Sequence, residues 1–303
     1  MVRPERRGKS PEFSLLAAYQ LLCDRYGPQH WWPAETPLEM IIGAILTQSA
    51  AWTNVEKAIA NLKANGSLSV EWLRSLPQDA LARLIRPSGY YNVKARKIRA
   101  FVDWLAEGYD GDLDKLFALD AAELRNELLS VHGVGEETAD SIVLYAAHKP
   151  IFVVDAYTRR VIARLGLAPR EETYAAYQAL FMDNLPHDES LFNEYHALLV
   201  QHGKTVCRKK PLCAGCCLID LCPTPTNPMS PQRSFNPLPP QSWGIERNAE
   251  GLRPLCTPRC RIRRTALRRT QGDTRLCQGF RRVFQKRCRR SSCRGNWESP
   301  PAS

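Results

Sequence analysis

The chain has 303 residues, 44% of them hydrophobic, and a formal net charge of +11. That length supports two ordinary domains with a sizeable core, and the composition excludes a wholly disordered chain. No apolar run reaches the ~18 residues of a membrane-spanning helix, and the polar start from Met1 to Phe13 has neither the apolar stretch nor the cleavage site of a secretory leader, so a cytoplasmic, nucleoid-associated protein is expected.

The charge is not evenly spread. Residues 223–303 hold 17 basic against 4 acidic groups, a balance of +13, whereas residues 1–222 hold 25 against 27, a balance of −2. Any polyanion held by the first part must therefore be held by placed groups and not by bulk charge.

In chain order, Ser10-Pro11 places an N-cap residue before a proline at the first helical position. Phe13, Leu16 and Tyr19 then recur at helical spacing until Gly27. Pro37-Leu38-Glu39 opens a second helix through Ile41, Ile42, Ile45 and Leu46. Further helical patterns cover 53–64, 78–85, 92–108, 120–130, 136–147, 156–165, 171–184 and 188–202. Only Ile151–Val154 suggests a strand, too short to stand alone, so the fold class is all-α. From Pro223 the apolar period is lost, and the segment carries 11 of the 22 prolines and 16 arginines against one lysine. It is expected to be a disordered Arg/Pro-rich tail. It is either a nucleic-acid-binding arm or a stretch without selected structure, such as an out-of-frame read-through, and the arginine bias with scattered cysteines favours the second.

Three stretches carry chemistry. In Val131-His132-Gly133-Val134-Gly135-Glu136-Glu137-Thr138 one helix ends, a glycine turn follows and another helix begins. This is either a plain helix–turn–helix corner or a turn whose free N–H groups hold a phosphate. In Phe152-Val153-Val154-Asp155-Ala156 an apolar segment delivers a carboxylate to a helix start, where an aspartate is an N-cap whatever else it does. The third is Cys207-x5-Cys213-x2-Cys216-x5-Cys222, close enough to bind a 4Fe-4S cluster or tetrahedral zinc. Cys217 is a possible substitute for Cys216.

Together these stretches resemble the endonuclease III superfamily of helix-hairpin-helix DNA glycosylases over roughly residues 10–222. The hairpin, the aspartate 18 residues after Glu137, and His202-Gly203 before Cys207 match in order and spacing. The cysteine ladder has one residue fewer between its first two cysteines. Trp31-Trp32-Pro33, Gly43-Ala44-Ile45-Leu46-Thr47-Gln48, Arg86-Pro87-Ser88-Gly89-Tyr90-Tyr91 and Glu136-Glu137-Thr138-Ala139-Asp140 look most like the 3-methyladenine DNA glycosylase III branch.

The resemblance implies two helical lobes, a helical-barrel domain over 37–147 and a second domain of 10–36 with 148–222, with DNA chemistry in the cleft between them. It implies a base-excision DNA N-glycosylase acting, as a monomer, on duplex DNA with a damaged base. Bifunctional relatives carry a nucleophilic lysine where this chain has Glu137, and a glutamate cannot form a Schiff base. The expected enzyme is therefore monofunctional, removing alkylated purines such as 3-methyladenine, with Asp155 as principal catalytic group and Glu137 as either a second one or a solvated first-turn acid. Trp31, Trp32, Pro33 and Trp52 are the expected pocket, or core. Gln48 and Tyr90 match positions that fill the gap left by a flipped base. Gly133, Val134, Gly135 and Lys204, with the bases Lys94 and Arg96, are the expected DNA contacts, and Cys207, Cys213, Cys216 and Cys222 the cluster ligands. The alternatives are an endonuclease III-like glycosylase/lyase for oxidised pyrimidines and a non-catalytic iron-sulfur DNA-binding module.

Overall fold

A computed structural model describes residues 11–224. Ser10 and the expected tail beyond Thr224 lie outside the described residues. Among the described residues every regular element is helical and no strand forms, in agreement with the all-α expectation. No helix there is long and apolar enough to cross a membrane.

Helix α1 (Pro11–Tyr26) buries Leu15, Ala18 and Leu22, one stripe at helical spacing. It ends where Gly27 takes a φ of +67° and its N–H returns to Cys23 O, the left-handed stop that glycine permits. Helix α2 (Pro37–Thr47) starts at a Thr36 cap and is buried continuously from Leu38 to Leu46. A helix apolar on all sides has to be central. Against it pack α3 (Trp52–Asn65), α6 (Tyr91–Tyr109) and α9 (Glu136–Ser141), while α4 (Val70–Ser75), α5 (Gln78–Leu84) and α7 (Leu113–Phe117) pack on α6 and α8 (Ala121–Ser130) packs on α9. The remaining helices are α10 (Ala156–Arg164), α11 (Tyr174–Met182) and α12 (Glu189–Thr205).

The helix expected over 136–147 is α-helical only to Ser141. Ile142–Ala146 then winds as a π turn, a form that recurs near functional sites. This turn packs against α2, α8 and α12, and α12 packs against α1 and α10. Ile151–Val154 is buried and extended without a strand partner. The short helices α4 and α7 had no sequence signal strong enough to predict them.

Candidate active site

Asp155 is the N-cap of α10. Its Oδ1 accepts the Thr158 N–H at 2.7 Å, and the residue is 9% exposed. The segment before it is fixed by a polar frame. Gln178 on α11 donates to both Phe152 O and Asp140 Oδ2, each at 2.7 Å. The Val154 N–H donates to Tyr174 Oη at 3.3 Å. Asp140, fully buried on α9, receives Arg125 Nε at 2.6 Å. Buried charge survives when paired and hydrogen-bonded in this way, and here the pairing sets where the Asp155 carboxylate stands.

Four ionisable or polar groups surround it. Glu137 on α9 exposes surface to solvent, yet the protein mass around it lifts its carboxyl to about 7, with the Asp155 charge adding to the lift and Arg159 opposing it. Lys204 on α12 loses some of its basicity to desolvation, and the Asp155 charge restores part of it. His196, six residues before His202 on α12, is buried. Its Nε2 lies 4.0 Å from Asp155 Oδ1, and its Nδ1 lies 2.5 Å from Tyr145 Oη. Burial pushes the imidazole pKa down and the Tyr145 phenol pKa well up, so both are neutral near pH 7.

Sequence reasoning missed Tyr145 and His196. A histidine in the buried stripe Phe192, Tyr195, His196, Leu199 was the available signal.

The three tryptophans form one cluster. Ring centroids are 5.2 Å apart for Trp31–Trp32 and Trp32–Trp52, and 5.8 Å for Trp31–Trp52. Trp32 also meets Tyr145 at 5.5 Å, which joins the cluster to His196 and thus to Asp155. Lys204 Nζ stands 5.5 Å over the Trp31 ring and 6.0 Å over that of Tyr157. Trp32, Pro33 and Trp52 line a cavity of about 220 Å³ with Glu39, Glu56 and Lys63. Neither Trp31 nor Asp155 lines it. All three indoles are partly buried and packed on the core.

The hairpin is built as its glycines require. Gly133 has a φ of +86°, and a Cβ there would run into the Lys97 side chain. Gly135 is exposed with open space around it and caps α9. Val134 is 7% exposed, and its N–H is taken by Val131 O. Gln48, at the end of α2, donates to Gly133 O at 3.2 Å and Thr138 Oγ1 at 3.0 Å, and accepts from Lys97 Nζ at 2.5 Å. Its amide thus braces the hairpin. Tyr90 is 74% exposed, on a loop where Gly89 and Tyr90 have φ of +67° and +46°.

Lys94 corrects an expectation. It is buried, and its ammonium donates to Leu46 O at 2.8 Å and Ser88 O at 2.7 Å, so it closes the end of α2 and is unavailable to DNA. Arg96 is exposed.

The cysteine loop hangs on α10. Arg160 donates to Cys207 O (2.8 Å) and Gly203 O (2.9 Å). Arg164 donates to Arg208 O (2.7 Å) and Lys209 O (3.1 Å), with its Nη1 3.2 Å from Cys207 Sγ. A Cβ on Gly203 would collide with Tyr157, so this glycine permits the close approach of α12 to α10. Cys216 lies in the field of Cys207 and Cys222, and Cys222 in that of Cys207 and Cys213. Burial pushes the Cys216 thiol up to about 12. Four half-buried thiols on one loop have the donor chemistry of a thiolate-bound cluster. As placed among the described residues, no three His, Cys, Asp or Glu are grouped to hold a single metal ion.

Residues 42–187 match the model of the HhH-GPD superfamily base excision DNA repair protein. The chain is 46% identical over 206 residues to a protein of Methanocaldococcus jannaschii named as a DNA repair glycosylase, covering 67% of this chain and 93% of that protein. It is 31% identical over 186 residues to endonuclease III of Sulfolobus acidocaldarius, covering 60% and 79%. Among solved structures, the H. pylori 3-methyladenine DNA glycosylase bound to 1,N6-ethenoadenine aligns with a TM-score of 0.56 at 25% identity, over 65% of this chain and 98% of that one. A trapped endonuclease III–DNA covalent intermediate aligns at 0.62 with 23% identity, over 70% and 95%, a likeness of fold. The chain belongs to the HhH-GPD superfamily of base excision DNA repair proteins.

Proposed function

We propose that this base-excision DNA glycosylase is monofunctional and removes alkylated purines such as 3-methyladenine from duplex DNA. The observation that carries the reading is Asp155, a buried carboxylate capping α10, with Glu137 and not an amine at the position where bifunctional relatives carry lysine. The likeness to the H. pylori 3-methyladenine glycosylase supports the substrate class.

The chemistry follows from charge. Breaking the N-glycosidic bond builds an oxocarbenium-like sugar, and the Asp155 carboxylate stabilises it and orients water. A base methylated on a ring nitrogen leaves as a neutral molecule and needs no strong acid. Glu137, with a carboxyl near 7, holds a proton for much of the time at neutral pH, which keeps a second negative charge from competing for the sugar. The base must first leave the stack. Tyr90, exposed on its loop, is the wedge in this reading, and the Trp31–Trp32–Trp52 faces receive a cationic purine with about 0.5–2 kcal/mol per good contact. The backbone around Gly133, Val134 and Gly135 holds the DNA phosphate, and Lys204, over the Trp31 and Tyr157 rings, adds a cation for the DNA. Gln48 acts in DNA binding by bracing that turn. The lobes 37–147 and 10–36 with 148–222 flank the duplex. Cys207, Cys213, Cys216 and Cys222 would hold a 4Fe-4S cluster, whose contribution when bound is to stiffen the basic loop.

A second reading rests on Lys204, an amine made less basic by desolvation in the field of Asp155. It would make the protein an endonuclease III-like glycosylase/lyase, with Lys204 as the amine that Glu137 does not supply.

The deciding assay incubates the protein with methylated duplex DNA and with duplex carrying an oxidised pyrimidine. It follows free base, strand breaks without alkali, and borohydride-trapped adducts. Free methylpurine with intact strands and no adduct supports the monofunctional reading. A covalent adduct mapped to Lys204 overturns it in favour of the second.

A further inference from the structure

The geometry points to Tyr145 and His196 as a positioning pair that presents an N–H donor to Oδ1 of the Asp155 carboxylate, the oxygen that also accepts the helix-cap N–H. The inference rests on the reading of Asp155 as the catalytic group. It adds residues that the motifs do not contain.

His196 is 5% exposed, and its Nε2 is buried without a hydrogen-bond partner. A buried imidazole nitrogen left without a partner costs free energy unless another gain compensates. The other nitrogen, Nδ1, faces Tyr145 Oη at 2.5 Å. Tyr145 is 6% exposed and keeps its proton, so its hydroxyl has a hydrogen to place, and Nδ1 is the acceptor in reach. A hydroxyl donating to Nδ1 leaves the neutral ring's hydrogen on Nε2. That N–H stands 4.0 Å from Asp155 Oδ1. The gap is about 1 Å longer than a hydrogen bond and too short for an intervening water. A sub-ångström shift of α10 or α12 on DNA binding would close it.

The pair thus does two things. It offers Asp155 a second donor beside the Thr158 N–H, and it uses a neutral dipole to do so, leaving the carboxylate its full negative charge for the sugar. The other charged groups facing Asp155 are Glu137 from α9 and Lys204 from α12, with Arg159 on α10 acting through Glu137. Lys204 also stands in the field of His196 and, with burial, keeps that ring neutral. Tyr145 also packs on Trp32 at 5.5 Å, so a base seated against the indoles would press on the pair that aims the carboxylate.

The test compares His196→Leu, His196→Gln and Tyr145→Phe. Glutamine carries an amide N–H at about the reach of Nε2, and Tyr145→Phe keeps the ring contact but removes the hydroxyl that fixes the tautomer. Single-turnover base release is measured against pH, with DNA affinity measured separately. In His196→Leu the acid limb should move up by about one pH unit, with the rate near that limb falling about tenfold and DNA affinity unchanged. His196→Gln should restore the limb, and Tyr145→Phe should move it in the same direction. A wild-type acid limb in His196→Leu overturns the proposal, as does a rate loss that Gln does not rescue. Should His196→Leu not fold, a wild-type limb in Tyr145→Phe overturns it instead. The Asp155 carboxyl ¹³C resonance, followed against pH without DNA, separates the two levels of the argument. A shift between wild type and variants supports the pair even if no methylpurine is released, and that failure would then belong to the substrate reading alone.

Discussion

Glu137 near the start of α9 and Asp155 at the cap of α10 are 18 residues apart in sequence and stand in each other's electrostatic field. Burial first, and the Asp155 charge second, disfavour a charge on Glu137. Glu137 rises from 4.5 to about 7, so the fold favours its protonated form. The associated stability is fully present below about pH 4.5 and is lost as pH rises through about 7. Glu137→Gln removes the titration. Its urea midpoint should match wild type near pH 4.5 and exceed it at pH 8, and an offset independent of pH would show that Glu137 does not titrate as the site requires.

Asp155→Asn separates the cap from the charge. Asparagine caps a helix as well as aspartate does, so Tm should stay within about 2 °C of wild type. Base release should fall by at least about 10²-fold. Asp155→Ala should show the same loss of activity and also lose about 1 kcal/mol of stability with the cap. Calorimetry and single-turnover release on the two variants check both halves. An active Asp155→Asn would move the catalytic role to another residue.

Asp140 is fully buried and leans on Arg125 at 2.6 Å. Arg125→Met leaves that carboxylate without its counter-charge and should cost about 3 kcal/mol. Adding Asp140→Leu should recover part of the loss, because the uncompensated charge is then gone. Activity should remain low in the double variant, since Gln178 keeps Phe152 O but no longer has Asp140 to orient it. Denaturant titration of both single variants and the double gives the coupling directly.

Gln48 and Tyr90 were expected to share a role, and their surroundings divide it. Gln48→Ala loses three hydrogen bonds to Gly133, Thr138 and Lys97 and should destabilise by about 1–2 kcal/mol. Tyr90→Ala touches an exposed ring and should leave stability within about 0.5 kcal/mol. It should slow release from fully paired duplex more than from a site opposite a mismatch, where unstacking is easier. Equal slowing on both substrates would deny Tyr90 the wedge role.

Much of this was legible in residue order. Periodicity located the long helices because their buried stripes are set by local spacing: Leu15, Ala18 and Leu22 suffice for α1. The glycine turn and the Asp155 cap declared themselves because φ and capping are local needs. What stayed hidden depends on distant partners. Lys94 looked like a DNA-facing base, since nothing nearby in sequence shows that Leu46 O and Ser88 O would converge on it. Tyr145 and His196 are separated by 51 residues, and only folding makes them a pair. The π turn at Ile142–Ala146 packs against α2 and α12, helices far from it in sequence, and its own apolar run does not distinguish it from an ordinary helical turn. The four cysteines were conspicuous by spacing, but the two arginines that carry their loop belong to another helix.

That helix ties the chemistry to the loop mechanically. α10 is nine residues long, a rod of about 13 Å, with Asp155 at one end and Arg164 beneath the cysteine loop at the other. If Asp155 is the catalytic group proposed above, a change in the cysteine loop would reach it through this one short helix, so oxidation of a thiol would be expected to show in base release as well as in stability.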